Sequence, residues 1–332
     1  MIRLSAPCVS PRLACVAALL VLSLPALRAF AQDQALAGAD VAAPAPAAPP
    51  TFPKPDPANF TATVPSKETV NAFLQSSWGY DESRMWQVQA ILKTPVEGIS
   101  KVVVYIGDKT GKQKPSALQF FALADGKHII AGNEILAFGE HPYADNRALL
   151  QKRADGPFRG APGRDLEIVE FADFQCPHCK LAQPNMEKLA SDFPKARIVF
   201  QPFPLVAIHP SAARAAAYAS CVAKDAGNDA FFLFANTVFE GQDGLNTPDG
   251  ATLTLNSAVT KAGLDPTKVA ACAETPAAKA QVEAWIKLAK DLDVEETPML
   301  SINGRMVPIG GIPYESLKEI VAYQIKLDGL SQ

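Results

Sequence analysis

Residues 166–180 read LEIVEFADFQCPHCK, and this stretch decides the fold. The apolar run at 166–171 predicts a buried strand, and the segment after it predicts a helix that begins at Cys176 and reaches about Phe193. Pro177 suits the first turn of such a helix because its missing amide N–H costs little there. The cysteine pair is therefore expected at a helix N-terminus, directly after a central strand.

Two cysteines in this position have a specific chemical use. The partial positive charge of the helix N-terminus stabilises a thiolate on Cys176. A thiolate is the nucleophile of disulfide exchange, and a stabilised thiolate is also a good leaving group. His178 adds a second donor or cation near Cys176, and Cys179 can resolve a mixed disulfide. The pattern predicts redox chemistry at this pair.

Other kinds of site use the same spacing. A zinc site would require a second Cys or His pair, whereas Cys221 and Cys272 stand singly in the chain. Haem attachment would require a histidine directly after the second cysteine, where Lys180 stands. An inert disulfide and a soft-metal site made by Cys176 and Cys179 remain the alternatives. The redox interpretation requires no metal and no other cofactor.

Two further features support redox chemistry. Glu170 shares a strand face with Ile168. Burial of its carboxylate on that face should raise the Glu170 pKa. Glu170 is therefore a candidate proton acceptor for Cys179. A solvated glutamate at the strand end is the alternative. Thr297-Pro298 precedes a predicted strand, and a proline there cannot donate to a ladder. A cis peptide at this position would expose the Thr297 backbone for pairing with a substrate strand.

The remaining elements of this half complete one domain, expected at 166–332 after a hinge at 151–165. They are a strand at 197–201, an Ala-rich helical region at 209–292, strands at 299–302 and 306–309 joined by Asn303-Gly304, and a closing helix at 314–327. Asn-Gly is a strong signal for a tight hairpin. The order β-α-β, helices, β-β-α predicts an α/β domain with an all-helical insertion.

The N-terminus has the pattern of a secretory signal peptide. Arg3 and Arg12 precede an apolar run at 13–27 and the small-x-small end Ala29-Phe30-Ala31, so residues 1–31 are expected to be removed. The run is shorter than the ~20 residues of a membrane-spanning helix, and an uncleaved anchor is the alternative. A periplasmic or secreted location follows, in which disulfides persist.

Between the signal peptide and the hinge, the sequence predicts a linker and a small domain. Residues 32–59 are rich in Ala and Pro, which indicates an extended tether without a core. Residues 60–150 predict a small α+β domain with a helix capped by Ser66, a strand at 102–106 and a hairpin turning at Asp125-Gly126. One helix and about three strands bury too little by themselves, so this domain requires a neighbour.

Composition excludes two classes of protein. The 332 residues are 48% hydrophobic, which is incompatible with a wholly disordered chain. Lys and Arg number 31 against 34 Asp and Glu, for a formal net charge of -3, so the chain has no electrostatic signature for nucleic acid.

From Leu166 onward the sequence resembles the DsbA-like disulfide oxidoreductases of the thioredoxin superfamily. The matching motifs are Glu170-Phe171, the Cys-Pro-His-Cys at 176–179, Pro184, Thr297-Pro298 and Asn303-Gly304. The resemblance implies a thioredoxin fold with a helical insertion, a cis Pro298 facing the disulfide, Cys176 as the exposed nucleophile and Glu170 as the buried acid. It also implies a membrane redox partner and, as substrates, unfolded or partly folded exported proteins with cysteines.

The N-terminal domain resembles the cystatin-like dimerisation domain of the DsbC and DsbG isomerases. The matches are the strings at 95–98 and 125–132. This resemblance implies a homodimer, which would supply the neighbour that the small domain lacks. Thr297 before the proline fits the isomerases, whereas Pro177-His178 fits the oxidases, so the direction of exchange stays open.

The sequence thus predicts an exported thiol–disulfide oxidoreductase, either an oxidase or an isomerase. Val206 and Ile208 are expected to contact substrate beside Thr297-Pro298. Cys221 and Cys272 are expected to form a second, structural disulfide in the insertion, with two buried thiols as the alternative. The functional alternative is a non-enzymatic chaperone or a copper-binding protein that uses Cys176 and Cys179.

Overall fold

Two five-stranded sheets organise the part of the chain that the computed structural model describes, residues 51–111 and 114–331. The expected signal peptide and most of the expected linker lie outside these residues. The end of that linker packs on the first sheet. The Phe52 ring lies 6.2 Å from the Tyr105 ring, and the Gln89 side chain donates to the Pro53 carbonyl at 3.0 Å. Residues 51–59 are therefore not the free tether that their composition predicted.

Sheet 1 is antiparallel throughout, with strand order β1-β2-β3-β4-β5. Its elements are α1 (Lys67–Trp78), β1 (Arg84–Lys93), β2 (Ser100–Asp108), β3 (Ser116–Ala122), β4 (His128–Ala131) and β5 (Glu134–Ala137). The predicted helix is confirmed, and its Ser66 cap accepts the Thr69 amide at 3.1 Å. Val70 and Leu74 of α1 pack with Val102 and other sheet residues in one apolar core.

The sequence predicted about three strands here, and the structure has five. β1 was missed because its ladder to β2 shifts register between Val88 and Ala90, and a bulge of this kind interrupts the alternation of apolar and polar residues. β5 was missed because all of its residues are exposed, so no buried face marks it. The β3–β4 hairpin does turn at Asp125-Gly126, where Gly126 has a φ of 66°.

Sheet 2 has the strand order β10-β9-β7-β8-β6. Its strands are β6 (Phe158–Gly160), β7 (Glu167–Ala172), β8 (Arg197–Pro202), β9 (Met299–Ile302) and β10 (Arg305–Pro308). β7 is central and fully buried, parallel to β8 and antiparallel to β9. The predicted α/β class is confirmed.

Helices pack on both faces of sheet 2. They are α2 (Ala144–Arg153), α3 (Pro177–Asp192), α4 (Ala212–Glu240), α5 (Pro248–Lys261), α6 (Pro266–Ala273), α7 (Pro276–Asp291) and α8 (Tyr314–Leu327). Ile168 packs with residues of α3 and α8, whereas Val169 packs with residues of α2 and α7. Helices α4 to α7 form the predicted insertion. None of the helices described is both long and apolar enough to cross a membrane.

The expected hinge at 151–165 contains regular structure instead. α2 extends to Arg153, and β6 pairs with β8 through Arg159 and Ile198. β6 was not predicted because it has only three residues between turn-forming residues, which is too short to show the alternation of apolar and polar residues typical of a strand.

The neighbour that the small N-terminal domain requires for packing lies in the same chain. The Arg305 guanidinium donates to the backbone carbonyls of Ser76 and Ser77 at 3.0 and 2.6 Å. Gly304, with a φ of 91°, lets the start of α2 approach the same hairpin, since a Cβ there would lie 2.3 Å from the Tyr143 carbonyl oxygen. The end of α1 therefore docks on the β9–β10 hairpin.

Candidate active site

The turn after β7 places the cysteine pair at the start of α3. The Cys176 amide donates to the Asp173 carbonyl at 3.1 Å, and the Cys176 carbonyl accepts the Cys179 amide at 3.1 Å. Cys176 is the N-cap of α3, with Pro177 as the first helical residue. The first helical amides therefore lie next to the Cys176 side chain, as the sequence predicted.

The Cys176 thiol is buried, with 5% of the residue exposed. Its sulfur lies 3.5 Å from the Thr297 carbonyl oxygen. A hydrogen bond from the Cys179 thiol is the largest cause that lowers the Cys176 pKa to about 5, and the Cys179 and His178 amides assist. The expectation of an exposed nucleophile is wrong, because the Thr297 backbone lies against the sulfur.

Pro177 and His178 are both exposed. Among the described residues the His178 imidazole has no hydrogen-bond partner, and only its backbone amide contributes to the low Cys176 pKa. The predicted side-chain donor is therefore replaced by a main-chain donor, since the ring turns outward at the first turn of α3.

Cys179 differs sharply from its partner. It is fully buried, and burial raises its pKa well above the ordinary value of a thiol. The Asp173 amide donates to its sulfur at 3.4 Å. At neutral pH one sulfur of the pair is therefore ionised and the other is protonated.

Thr297 and Pro298 lie beside this pair and are joined by a cis peptide bond. The Thr297 hydroxyl is buried and has no hydrogen-bond partner among the described residues. The hydroxyl nevertheless lies near both sulfurs, and this proximity lowers the pKa of both cysteines. The Thr297 carbonyl and hydroxyl thus form one wall of the site.

Glu170 lies below the pair on β7, with 1% of the residue exposed. Burial raises its pKa to about 7, opposed by the charge of Arg159 and a hydrogen bond from Gln183. The Gln183 amide donates to Glu170 Oε1 at 2.8 Å and to the Cys179 carbonyl at 3.2 Å. Glu170 is thus connected to Cys179 through Gln183, whereas the sequence suggested a direct role. A polar residue on the buried stripe of α3 was the signal that could have identified Gln183.

A second polar cluster fixes the turn between β7 and α3. The buried Asp173 carboxylate accepts the Gln175 amide at 2.7 Å, the Leu205 amide at 2.8 Å and His209 Nδ1 at 2.8 Å. Sequence reasoning missed Asp173 and His209, although a charged residue directly after a buried strand is a recognisable signal. The same cluster anchors the loop that carries Val206 and Ile208, which are 59% and 68% exposed.

The helical insertion also holds this turn. Gln242, in a 3-10 helix at Gln242–Asn246, donates to the carbonyls of Phe174 and Cys176, both at 2.9 Å. The Gln175 side chain accepts the Ser211 amide at 2.9 Å. No sequence signal could have identified Gln242, because only the folded insertion brings it beside the cysteines.

The other two predicted site residues lie within the insertion. Cys221 of α4 and Cys272 of α6 are joined by a disulfide with an S–S distance of 2.04 Å. Within residues 51–111 and 114–331, no group of three or more His, Cys, Asp or Glu side chains is arranged to hold a metal ion.

Comparison with known proteins gives one family match. Residues 152–322 match the family model described as Thioredoxin. Disulfide bond formation protein D of Bacillus subtilis is 28% identical over 175 residues, which cover 51% of this chain and 77% of that protein.

Two antiporters and several solved structures also match. The Na(+)/H(+) antiporter NhaA 3 of Salinispora tropica is 34% identical over 91 residues, and the match covers 27% of this chain but only 14% of the antiporter. The chain thus spans a small part of that relative's length. ScsC of Proteus mirabilis, in a transitional conformation, has 23% identity and a TM-score of 0.46, covering 55% of this chain and 81% of its own. Oxidised BdbD of Bacillus subtilis has 21% identity and a TM-score of 0.45, and the match covers 52% of this chain and 93% of the BdbD chain.

Proposed function

The chain belongs to the thioredoxin family of thiol–disulfide oxidoreductases, and we propose that Cys176 and Cys179 exchange disulfides with cysteines of exported proteins. The observation that carries this proposal is the inequality of the two thiols. The pKa of Cys176 is lowered to about 5, whereas that of Cys179 is raised well above its ordinary value. A thiol–disulfide catalyst requires one cysteine whose thiol loses its proton readily and a second whose thiol keeps its proton.

The proposed reaction begins with the Cys176–Cys179 disulfide. A client thiolate attacks the Cys176 sulfur, a bond forms between these sulfurs, and Cys179 leaves with the electron pair and takes up a proton. A second client thiolate then attacks the client sulfur of the mixed disulfide and displaces Cys176 as a thiolate. The client has lost two electrons and gained a disulfide, and the cysteine pair is reduced.

The low Cys176 pKa favours the oxidase direction. A stabilised thiolate makes Cys176 the better leaving group in the last step and stabilises the reduced pair relative to its disulfide. Pro177-His178 fits this direction, whereas Thr297 fits reshuffling of disulfides. A reduction potential near −120 mV would support the oxidase, and one near −180 mV would favour isomerisation.

Glu170 is proposed to exchange the proton of Cys179. With a pKa of about 7 it is partly protonated at neutral pH, so it can accept or release a proton there. Gln183 contacts both the Glu170 carboxyl group and the Cys179 backbone, which keeps the acid below the resolving sulfur.

The proposal also covers the location and partners of the protein. Residues 1–31 would direct export, the mature protein would act in the periplasm or outside the cell, and a membrane redox partner would reoxidise the pair. A homodimer formed through the sheet 1 domain is the proposed assembly, and sedimentation of the mature protein tests it.

Two variants test the proposed chemistry. Cys176→Ala should abolish insulin reduction and the refolding of scrambled ribonuclease, whereas Cys179→Ala should accumulate mixed disulfides with client proteins. The Cys221→Ala/Cys272→Ala double variant is the control, because it removes two sulfurs outside the site. Turnover by Cys176→Ala would refute the proposal, and tight copper(I) binding without exchange would instead support the metal-binding alternative.

A further inference from the structure

An open cleft of about 980 Å³ lies between the edge of sheet 1 and the segment that leads to Pro298. Its lining residues are Glu134, Ile135, Leu136, Asp293, Glu295, Glu296, Met299 and Pro308. The volume is at the upper end of the ~300–1,000 Å³ typical of small-molecule sites, which leaves room for several residues of an extended peptide as well. The mechanism described above does not use this cleft.

One wall of the cleft is a sheet edge with apolar side chains. Within the part of the chain that the structure describes, β5 pairs only with β4, so its outer backbone groups are available for a further strand. Ile135 of β5 is 66% exposed. It pairs with Ile130, which pairs in turn with Phe121, so an apolar row crosses three strands toward the cleft.

The other wall is acidic and adjoins the cysteine pair. Glu295 and Glu296 are exposed and immediately precede Thr297, whose carbonyl oxygen lies 3.5 Å from the Cys176 sulfur. The cleft therefore begins one residue from the wall of the active site. An extended chain whose cysteine reaches Cys176 would continue directly into it.

The charges in the cleft all have one sign. Its described lining contains four acids and no lysine or arginine, the acids being Glu134, Asp293, Glu295 and Glu296. None of the four forms an ion pair with another described residue. A cleft lined by charges of one sign concentrates partners of the opposite sign. Its apolar wall and unpaired strand edge add recognition of an extended backbone.

We infer that this cleft binds the extended segment flanking the reactive cysteine of a client, and that it selects segments carrying lysine or arginine beside apolar residues. The inference rests on the proposed function, since it assigns the substrate class of the same site. The acidic walls would attract the cationic side chains, while β5 would pair with the client backbone. A second copy of this chain is the other occupant that a strand edge could accept.

Matched peptides test the charge preference. Three peptides share one apolar sequence with a single cysteine, which is flanked by two lysines, two glutamines or two glutamates. The rate constant of each with the oxidised protein is divided by its rate constant with hydroxyethyl disulfide, which removes the effect of flanking charge on the peptide thiol. The lysine peptide should react about 10-fold faster than the glutamate peptide at low salt, and 0.5 M salt should largely remove this ratio.

Charge-neutral variants locate the preference. Glu134→Gln/Glu295→Gln/Glu296→Gln should bring the ratio close to one. The control is Glu97→Gln/Glu283→Gln/Glu319→Gln, which removes the same formal charge from exposed positions outside the cleft and should keep the ratio. Ile135→Ser should slow all three peptides several-fold and leave the ratio unchanged, because it removes apolar contact without changing charge.

Three results would overturn the inference. Equal normalised rates for the three peptides would show that the acids do not select clients. An equal loss of preference in the control variant would assign it to overall charge. If Ile135→Lys dispersed a dimer seen by sedimentation, the cleft would be covered by a second copy. Failure of the proposed function looks different, because then none of the three peptides would react with the oxidised protein, although each would still react with hydroxyethyl disulfide.

Discussion

Glu170 and Gln183 form a buried hydrogen bond of 2.8 Å directly below the cysteine pair. Gln183 donates both to this acid and to the backbone carbonyl of Cys179, and the charge of Arg159 on β6 favours the ionised carboxylate. Burial nevertheless dominates, so the Glu170 pKa rises to about 7. The acid is therefore held between its two protonation states near neutral pH.

This raised pKa predicts that the contribution of Glu170 to stability falls as pH rises. Protonated Glu170 is favoured in the folded state, so its contribution is fully present below about pH 4.5 and is lost as pH rises through about 7. The loss should reach about 3 kcal/mol. Glu170→Gln removes this contribution, so the difference in unfolding free energy between the wild type and the variant should fall as pH rises, as measured by urea unfolding between pH 4 and 8.

The matched control for Glu170→Gln is Glu187→Gln, a change on the outer part of α3. It should leave the pH profile of stability close to that of the wild type. A difference in unfolding free energy between the wild type and Glu170→Gln that stays constant or rises between pH 4.5 and 7 would contradict the assignment of a raised pKa to Glu170.

The unequal thiols predict two separate alkylation profiles. Iodoacetamide should modify Cys176 with a midpoint near pH 5, because the Cys179 thiol and the first amides of α3 stabilise its thiolate. Cys179 should remain unmodified through neutral pH, because burial keeps it protonated. Peptide mass mapping of the reduced protein at successive pH values measures both. A Cys176 midpoint near that of a free thiol would remove the basis of the proposed mechanism.

The disulfide between Cys221 and Cys272 predicts a loss of stability without a loss of exchange. It closes a loop with a sequence separation of 51, so its removal should lower the free energy of unfolding by about 4 kcal/mol in the chain-entropy model. Cys221→Ala/Cys272→Ala should still reduce insulin at a temperature where it is folded. An unchanged unfolding midpoint would show that the bond does not constrain the unfolded chain.

Much of the second sheet could be predicted from local sequence. The helix after Cys176, the 299–302 strand and the closing helix follow from periodicity and turn signals, and the structure places them at Pro177–Asp192, Met299–Ile302 and Tyr314–Leu327. These elements are buried on one face, so their apolar spacing reports their structure directly. The fold class was therefore accessible from the sequence.

The residues that position the cysteines were largely inaccessible to the same reasoning. Gln242 reaches the Cys176 carbonyl from a 3-10 helix of the insertion, and Arg159 reaches Glu170 from a short edge strand. Their roles depend on tertiary proximity, which neither spacing nor propensity encodes. His178 shows the converse, because it lies two positions from Cys176 in the sequence, yet its side chain is exposed and its ring does not contribute to the low Cys176 pKa.

Gln242 gives the last prediction. Its amide donates to two carbonyls that flank the Cys176 turn, and a donor there reduces the negative potential of those carbonyls beside the thiolate. Gln242→Leu should raise the Cys176 pKa by up to about one unit. It should also lower the free energy of unfolding by about 1–3 kcal/mol, since two buried carbonyls lose a partner. Thiolate absorbance at 240 nm against pH and urea unfolding measure the two effects.

The comparison of Gln242→Leu with Gln242→Glu separates an electrostatic role from a packing role. Glu keeps the size of the side chain but presents oxygen to both carbonyls, so it should raise the Cys176 pKa more than Leu does. Gln281→Leu is the control, because the Gln281 amide donates to Asp155 and not to the turn that carries Cys176. If Leu and Glu destabilised the protein while the Cys176 pKa stayed at about 5, Gln242 would hold the turn without influencing the charge on its sulfur.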